Sequence, residues 1–276
     1  VKLVFNNISS FYNVRKELNQ KYDFEGKKIL FQQYESNLDP ILRFCHDTGI
    51  QTAGWIEVDK YIRNDIANTQ IDIEASMNSI KFVDKKEIAK IRQASFDIEC
   101  YSHDGSFPSP KVKQNVLYQI ATTFKTYGDS DCFYKNILTL KKCPDIIDPD
   151  GIPTEVQCFE NEADLLLAWK QLIIDYDPDI LYQYNGDRFD GKYIGERVLL
   201  NDIEEDFYNG IGKFKETEDD NWSSKKRWGK IKQDRFSSGA YGTTDYDRLV
   251  LPGRINFDVL IFINREYKLD SYKLDN

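Results

Sequence analysis

The sequence predicts an α/β fold, a mixed sheet with helices on its faces, preceded by a smaller α+β unit. Three strand-like runs follow one another at 94–100, 115–124 and 132–140, separated by Gly, Asp, Ser and Pro clusters. A segment of helical period comes next, at 161–176. A further apolar run at 179–185 and a second helical pattern at 188–200 complete the alternation, and strands exchanged with helices in this order build a mixed sheet.

In the N-terminal third, "KKILFQQY" (27–34) reads as a strand, Asp39 caps a helix that starts at Pro40, and Gly49 ends it before the strand "QTAGWIEV" (51–58). The charged stretch from 60 to 93 carries short alternating runs, expected to return as strands to the same unit. The domain boundary is expected near residue 93, with 1–93 as the first unit and 94–276 as the second. In the second, "ASFDIEC", "NVLYQIATTF" and "CFYKNILTL" predict an antiparallel meander. The helix after it has Asn161 as N-cap with Asp164 at the third position; Leu165, Trp169, Leu172, Ile173 and Tyr176 share one face, and Pro178 stops it.

The 276 residues suffice for two cores, and 41% hydrophobic with 30% charged residues is the composition of a soluble globular protein. No apolar run approaches the ~20 residues of a membrane helix, so no membrane partner is expected. A net charge of −9 argues against coating nucleic acid by overall attraction, though a local basic stripe still suits it. Cysteines 45, 100, 132, 143 and 158 form no C-x-x-C pair, which points away from disulfides and zinc and toward a reducing, intracellular setting. The chain opens without methionine and stops straight after a patterned segment, so it reads as a fragment.

The chemistry starts at "FDIEC". Alternation sends Asp97 and Glu99 to one face of the strand and Phe96, Ile98 and Cys100 to the other. Two like charges so close repel, and either water or a cation must face them. A solvated acidic face is the simpler explanation for the pair alone. In "YQYNGDRFD" (182–190) a second strand runs into Asn185, Asp187, Phe189 and Asp190, at the kind of strand end where α/β sheets bind ligands. If the two strands are neighbours, Asp190 joins Asp97 and Glu99 in one cleft. Oxygen ligands without His or Cys favour Mg²⁺ or Mn²⁺, and a pair of such ions about 3.5–4 Å apart is a device for cutting phosphodiesters.

"FDIEC" followed by "GSFP" resembles the first exonuclease motif of family B DNA polymerases, and "YNGDRFD" resembles the second, Asn, three residues, then Phe or Tyr and Asp. "YESNLDPILRFCHDTGIQTAGWIEV" is similar to the N-terminal domain of the same family, and "GRINFDVLIFINREYKLDSYKLDN" (253–276) to the stretch before its third exonuclease motif. The likeness runs from about residue 28 to the end, nearest to delta-type enzymes of eukaryotes and of large DNA viruses infecting them. It implies a ribonuclease H-like 3′-to-5′ proofreading exonuclease within a DNA-directed DNA polymerase. Asp97, Glu99 and Asp190 would then ligate two Mg²⁺ or Mn²⁺ ions. Asn185 and Phe189 would hold the 3′ nucleotide, and Phe107 would pack near the single-stranded end of a primer-template. A sliding clamp would bind through segments outside this chain, at work in the nucleus or at a viral replication site.

Departures accompany the likeness. The third motif, Tyr, three residues, Asp, is not present; "YKLD" at 267–270 and 272–275 is one residue short of it. On its own the chain is therefore expected to have little exonuclease activity. "YGTTD" (241–245) resembles the palm signature with its first Asp replaced by Thr243, and is read as linker. "NWSSKKRWGKIKQDR" (221–235) gathers Lys225, Lys226, Arg227, Lys230, Lys232 and Arg235 with Trp222 and Trp228, a mixture suited to single-stranded DNA, though a solvated charged loop is the commoner reason for such a run. Asp187 is expected to be a surface loop acid, and Asp258 a structural one. The alternatives are a stand-alone exonuclease whose fourth acid is Asp258, Asp270 or Asp275, and a non-catalytic DNA-binding module.

Overall fold

The computed structural model describes residues 1–69, 71–144, 146, 148, 151–214, 229–239 and 242–274. It divides into two compact units, Val1–Arg63 with Ile73–Glu87, and Asn64–Asp72 with Ile88–Asn276.

The first unit opens with helix α1 (Ile8–Glu17), capped by the Asn7 side chain. Strands β1 (Lys21–Phe24) and β2 (Lys27–Leu30) pair as a hairpin whose turn places Glu25 and Gly26 at φ 51° and 76°. Helix α2 (Pro40–Thr48) has the stop signals its sequence carries: Asp39 accepts from the Ile41 amide at 2.8 Å, and Gly49 closes the helix at φ 71°. Strand β3 (Trp55–Val58) pairs antiparallel with β6 (Ile80–Val83), while β4 (Ile62–Arg63) and β5 (Ile73–Glu74) form a short ribbon between them in sequence.

The second unit is built on a six-stranded mixed sheet. Strands β7 (Arg92–Cys100), β8 (Leu117–Thr126) and β9 (Tyr134–Leu140) make the antiparallel meander. Strand β10 (Thr154–Phe159) adds in parallel beside β9; its run of Thr, Val and Cys alternating with Glu and Gln is short, and it is not among the strands expected from the sequence. Helix α3 (Glu162–Tyr176) then crosses the sheet to β11 (Ile180–Gln183), which enters parallel to β7, with Tyr182 opposite Ser95. Helix α4 (Asp190–Leu200) and the single-turn α5 (Glu204–Tyr208) follow. A hairpin of β12 (Lys230–Ser238) and β13 (Gly242–Val250) leads to β14 (Ile255–Asp258), parallel to β11 at the sheet edge, and to α6 (Val259–Glu266). The sheet order is β10-β9-β8-β7-β11-β14. Gly242, Thr243 and Asp245 are therefore strand residues of the hairpin, paired across to β12, and the expectation of a linker there is corrected: alternating Thr, Tyr and Val in "TTDYDRLV" suit a pleated surface.

The core lies between the sheet and its helices. Phe96, Ile98, Ile120, Leu138 and Leu181 of the strands meet Leu165, Trp169, Ile173, Ile194 and Val198 of α3 and α4. Trp169 is fully buried, its ring 5.1 Å from Phe96, and it donates to Thr122 Oγ1 at 3.2 Å, so its polar atom is satisfied. Burying each such side chain contributes roughly 1.5–3 kcal/mol. This core fixes β7 and β11 side by side, which is what the candidate site requires.

Candidate functional site

Along β7 burial alternates residue by residue: Ala94, Phe96 and Ile98 face the core, while Ser95, Asp97 and Glu99 are exposed. Asp97 sits opposite Ala121 of β8, and the ladder slips between Glu99 and Cys100, a bulge of the kind that re-aims side chains at strand ends. The neighbouring strand β11 ends at Gln183, and the loop after it turns through Asn185 at φ 61°. The amides of Arg188 and Phe189 bond back to the Asn185 carbonyl, each at 3.1 Å, and the backbone of Phe189 is not helical, at φ −128° and ψ −76°, so α4 starts at Asp190 and not at 188.

Asp190 is buried, and its carboxyl lies against that of Asp97. Burial, then the charge of Asp97, pushes the Asp190 carboxyl up to about 7. Its Oδ1 is buried without a hydrogen-bond partner. An unpartnered buried carboxylate oxygen beside a second carboxylate is a donor set fitted to a hard divalent cation. Among the described residues no three Asp, Glu, His or Cys side chains converge closely enough to hold a metal ion. The structure thus brings Asp97 and Asp190 together, and leaves Glu99 exposed on the same strand face beside the bulge.

Two aromatic rings stand near. Phe107, 79% exposed, meets Phe189 with ring centroids 5.3 Å apart, and Phe189 meets Tyr193 at 5.5 Å. The loop that carries Phe107 is fastened from behind: the buried Arg197 guanidinium donates to the carbonyls of Pro110, Val112 and Lys113 and pairs with buried Glu162 at 2.6 Å. Glu162 also accepts from the Leu117 amide at 2.7 Å. Asn115 completes the closure, with its side chain bonded to His103 and its carbonyl accepting from Tyr193 Oη at 2.8 Å.

The family of the chain follows from the span these segments share. Residues 31–276 match the model of the DNA polymerase family B exonuclease domain, and both acidic segments lie within the match. The chain belongs to the family B DNA polymerases. It is 36% identical over 251 residues to a DNA polymerase delta catalytic subunit of Dictyostelium discoideum, covering 89% of this chain and 21% of that protein. It is 35% identical over 254 residues to the delta catalytic subunit of Arabidopsis thaliana, with 89% and 22% covered. It is 29% identical over 286 residues to a DNA polymerase of Paramecium bursaria Chlorella virus NY2A, covering 100% of this chain and 28% of the relative. The chain thus spans between 21% and 28% of the length of these relatives.

Within this exonuclease domain, one expectation about the acids is overturned. Asp187 is not a surface loop acid; it is 5% exposed, accepts from Gln183 Nε2 at 2.7 Å, and lies 3.9 Å from Arg248 Nε. Burial, then the charge of Asp258, pushes its carboxyl up to about 6. The short charged run "GDR" suggests exposure, and only the downstream strand β13, which covers the loop, removes it. Asp258 holds three amides: Asn185 at 2.9 Å, Asp187 at 3.1 Å and, as N-cap of α6, Leu260 at 3.0 Å. Glu162 and Arg197 carry no sequence signal that separates them from surface helix residues; their burial arises from the loop folded over them. Lys225, Lys226, Arg227 and Trp228 of the basic stretch, with Trp222, lie outside the described residues. Lys230 is exposed at the start of β12, while Lys232 and Arg235 pair with Asp234 and Asp245.

Proposed function

We propose that this chain is the N-terminal and proofreading portion of a delta-like replicative DNA polymerase: residues 1–93 its N-terminal domain, 94–276 a ribonuclease H-like 3′-to-5′ exonuclease domain. The observation that carries the reading is the carboxyl pair Asp97–Asp190, one acid within β7 and the other at the start of α4 after the neighbouring strand, with one buried Asp190 oxygen lacking any donor. The substrate is a single-stranded 3′ end unpaired from a primer-template. Water adds to the terminal phosphorus, the bond to the preceding 3′ oxygen breaks, and a nucleoside 5′-monophosphate leaves. Asp97, Glu99 and Asp190 would hold two Mg²⁺ or Mn²⁺ ions, which acidify the attacking water and stabilise the leaving oxygen. Phe107, exposed beside Phe189, offers a stacking surface for the terminal base, and Asn185 shapes the turn that presents it. Lys225, Lys226, Arg227, Trp228 and Lys230 would track the single strand. Nucleotide addition and clamp binding belong to the longer parent enzyme, and the place of action is the nucleus or a viral replication site. The relatives are named as DNA polymerases, which supports this reading over a stand-alone exonuclease or a non-catalytic DNA-binding module.

The test is Mn²⁺ titration followed by electron paramagnetic resonance, with single-stranded DNA degradation assayed alongside in the full-length enzyme. Asp97→Ala and Asp190→Ala are expected to abolish hydrolysis and to lower the number of Mn²⁺ ions bound; Mn²⁺ binding and hydrolysis at wild-type levels in both variants would overturn the reading.

A further inference from the structure

The loop between β11 and α4 is gripped from two sides, and the second grip comes from the β12–β13 hairpin. On one side Asp258 takes the amides of Asn185 and Asp187. On the other, strand β13 lies along the loop: the Asp247 amide donates to the Asp187 carbonyl at 3.0 Å, and Arg248 Nε stands 3.9 Å from Asp187 Oδ2. Asp247 also reaches past the loop to Lys192 on the first turn of α4, at 2.7 Å. The fit is close at the backbone, since a Cβ on Gly191 would stand 3.2 Å from Leu249 Cβ. The contacts therefore bracket Asp190: Asp187 three residues before it and Lys192 two residues after it are both tied to consecutive residues of one strand.

We infer that Asp187 and Arg248 are positioning residues for the exonuclease reaction, through which the seating of the β12–β13 hairpin sets where Asp190 stands relative to Asp97. The inference rests on the proposed function, because Asp190 must be a metal ligand for its placement to matter to the rate. Its physical basis is that Asp190 begins a helix whose first turn has no side-chain cap; Phe189 occupies the cap position and makes no such bond. A helix start without a side-chain cap takes its position from its neighbours, and here β13, with the Gly186 carbonyl that accepts from the Gly191 amide, is among them. Asp187 is acidic at a cost: it is buried and close to Asp258, its ionised form is disfavoured there, and the bond from Gln183 offsets this only in part. A residue that works against local stability while linking two elements is the pattern expected at a functional site.

The experiment is a double-mutant cycle in the full-length enzyme, with Asp187→Asn, Arg248→Gln and the pair, assayed by single-turnover hydrolysis of a 3′-mismatched primer-template. Loss of a group that orients a metal ligand costs 10–100-fold, so each single variant is expected to lower kcat by about that factor with KM for the DNA end unchanged. The pair should be no worse than Asp187→Asn alone, and Arg248→Lys should recover most of the rate. Nucleotide addition, measured on the same preparations, should stay at the wild-type value, and the thermal midpoint should not fall below its own. Multiplicative losses in the pair, wild-type kcat in every variant, or losses that track a fall in both midpoint and nucleotide addition would overturn the inference. Asp97→Ala in the same assay separates the two claims: if it hydrolyses at the wild-type rate, the reading of the site falls and takes this inference with it. If it is inactive while Asp187→Asn and Arg248→Gln match the wild type, the coupling alone falls.

Discussion

Two loops leave two adjacent strands of the same sheet, and they are held by charges of opposite sign. The loop after β7 runs from Tyr101 to Val116 and is held by a cation: Arg197 collects three of its carbonyls. The loop after β11 is short, Tyr184 to Phe189, and is held by an anion: Asp258 collects two of its amides. The difference lies in which backbone groups turn inward. A tight turn through a left-handed residue such as Asn185 points successive amides the same way, forming a concave nest for a carboxylate; a wide loop curling over a helix leaves carbonyls facing it, and these suit a guanidinium. In both cases a buried charge replaces the water that the backbone loses, and the residues nearest the carboxyl pair are fixed from a distance.

The two anchors differ in how much depends on them, which orders the tests. Arg197→Met leaves Glu162 buried without its cation, and breaking one half of a buried pair costs about 3–5 kcal/mol. Urea denaturation should show a loss of that size, and Glu162→Gln in the Arg197→Met background should recover part of it. A smaller effect is expected at the other anchor. Asp258→Asn keeps one acceptor oxygen and exposes an amide to a buried donor, costing about 1–3 kcal/mol by the same measurement.

The smallest effect is the most specific to the second loop. The Asp187 carboxyl is raised from 3.8 to about 6, by burial first, then by Asp258 and Asp234, against the opposing Arg248 and Gln183. Below pH 3.8 both folded and unfolded chains hold the proton; between that value and about 6 the unfolded chain releases it and the folded one retains it. Stability therefore falls as pH rises through this window and levels off above it. Asp187→Asn lacks the penalty, so the difference in thermal midpoint between variant and wild type should move in the variant's favour from pH 4 to 6, measured by differential scanning fluorimetry; a constant or opposite difference would count against a buried, strained Asp187.

What was legible in the sequence is local. The alternation in "FDIEC" gives both the pleat and the exposed acids; Asn161, Asp39 and Gly49 mark helix ends through bonds to residues two to four positions away, and Pro40 marks one by its fixed φ. The second acidic segment gives Asp190 because its strand is a parallel neighbour of the first. What escaped depends on distant covering. Strand β10 is stabilised by pairing with β9 across an intervening loop, and the burial of Asp187 is produced by Arg248 and its strand. Charge in a short loop resembles solvent exposure until another element is laid on it. The hairpin was hidden for a related reason: "YGTTD" invites reading as a signature, while Thr243 within it and Tyr246 just after it are ordinary strand formers.

The grip of Asp258 on the second loop has a consequence for synthesis. Both acids of the pair leave the ribosome well before Asp258 does, since β7 ends at Cys100 and α4 begins at Asp190. A nascent chain stopped short of Asp258 holds every residue of the carboxyl pair yet leaves the amides of Asn185 and Asp187 without their acceptor. The turn then keeps only its internal bonds, from the Arg188 and Phe189 amides to the Asn185 carbonyl, and lacks its anchor on the neighbouring strand. The loop that leads to Asp190 therefore gains its outside acceptor late in synthesis, when the edge strand that bears Asp258 has been made.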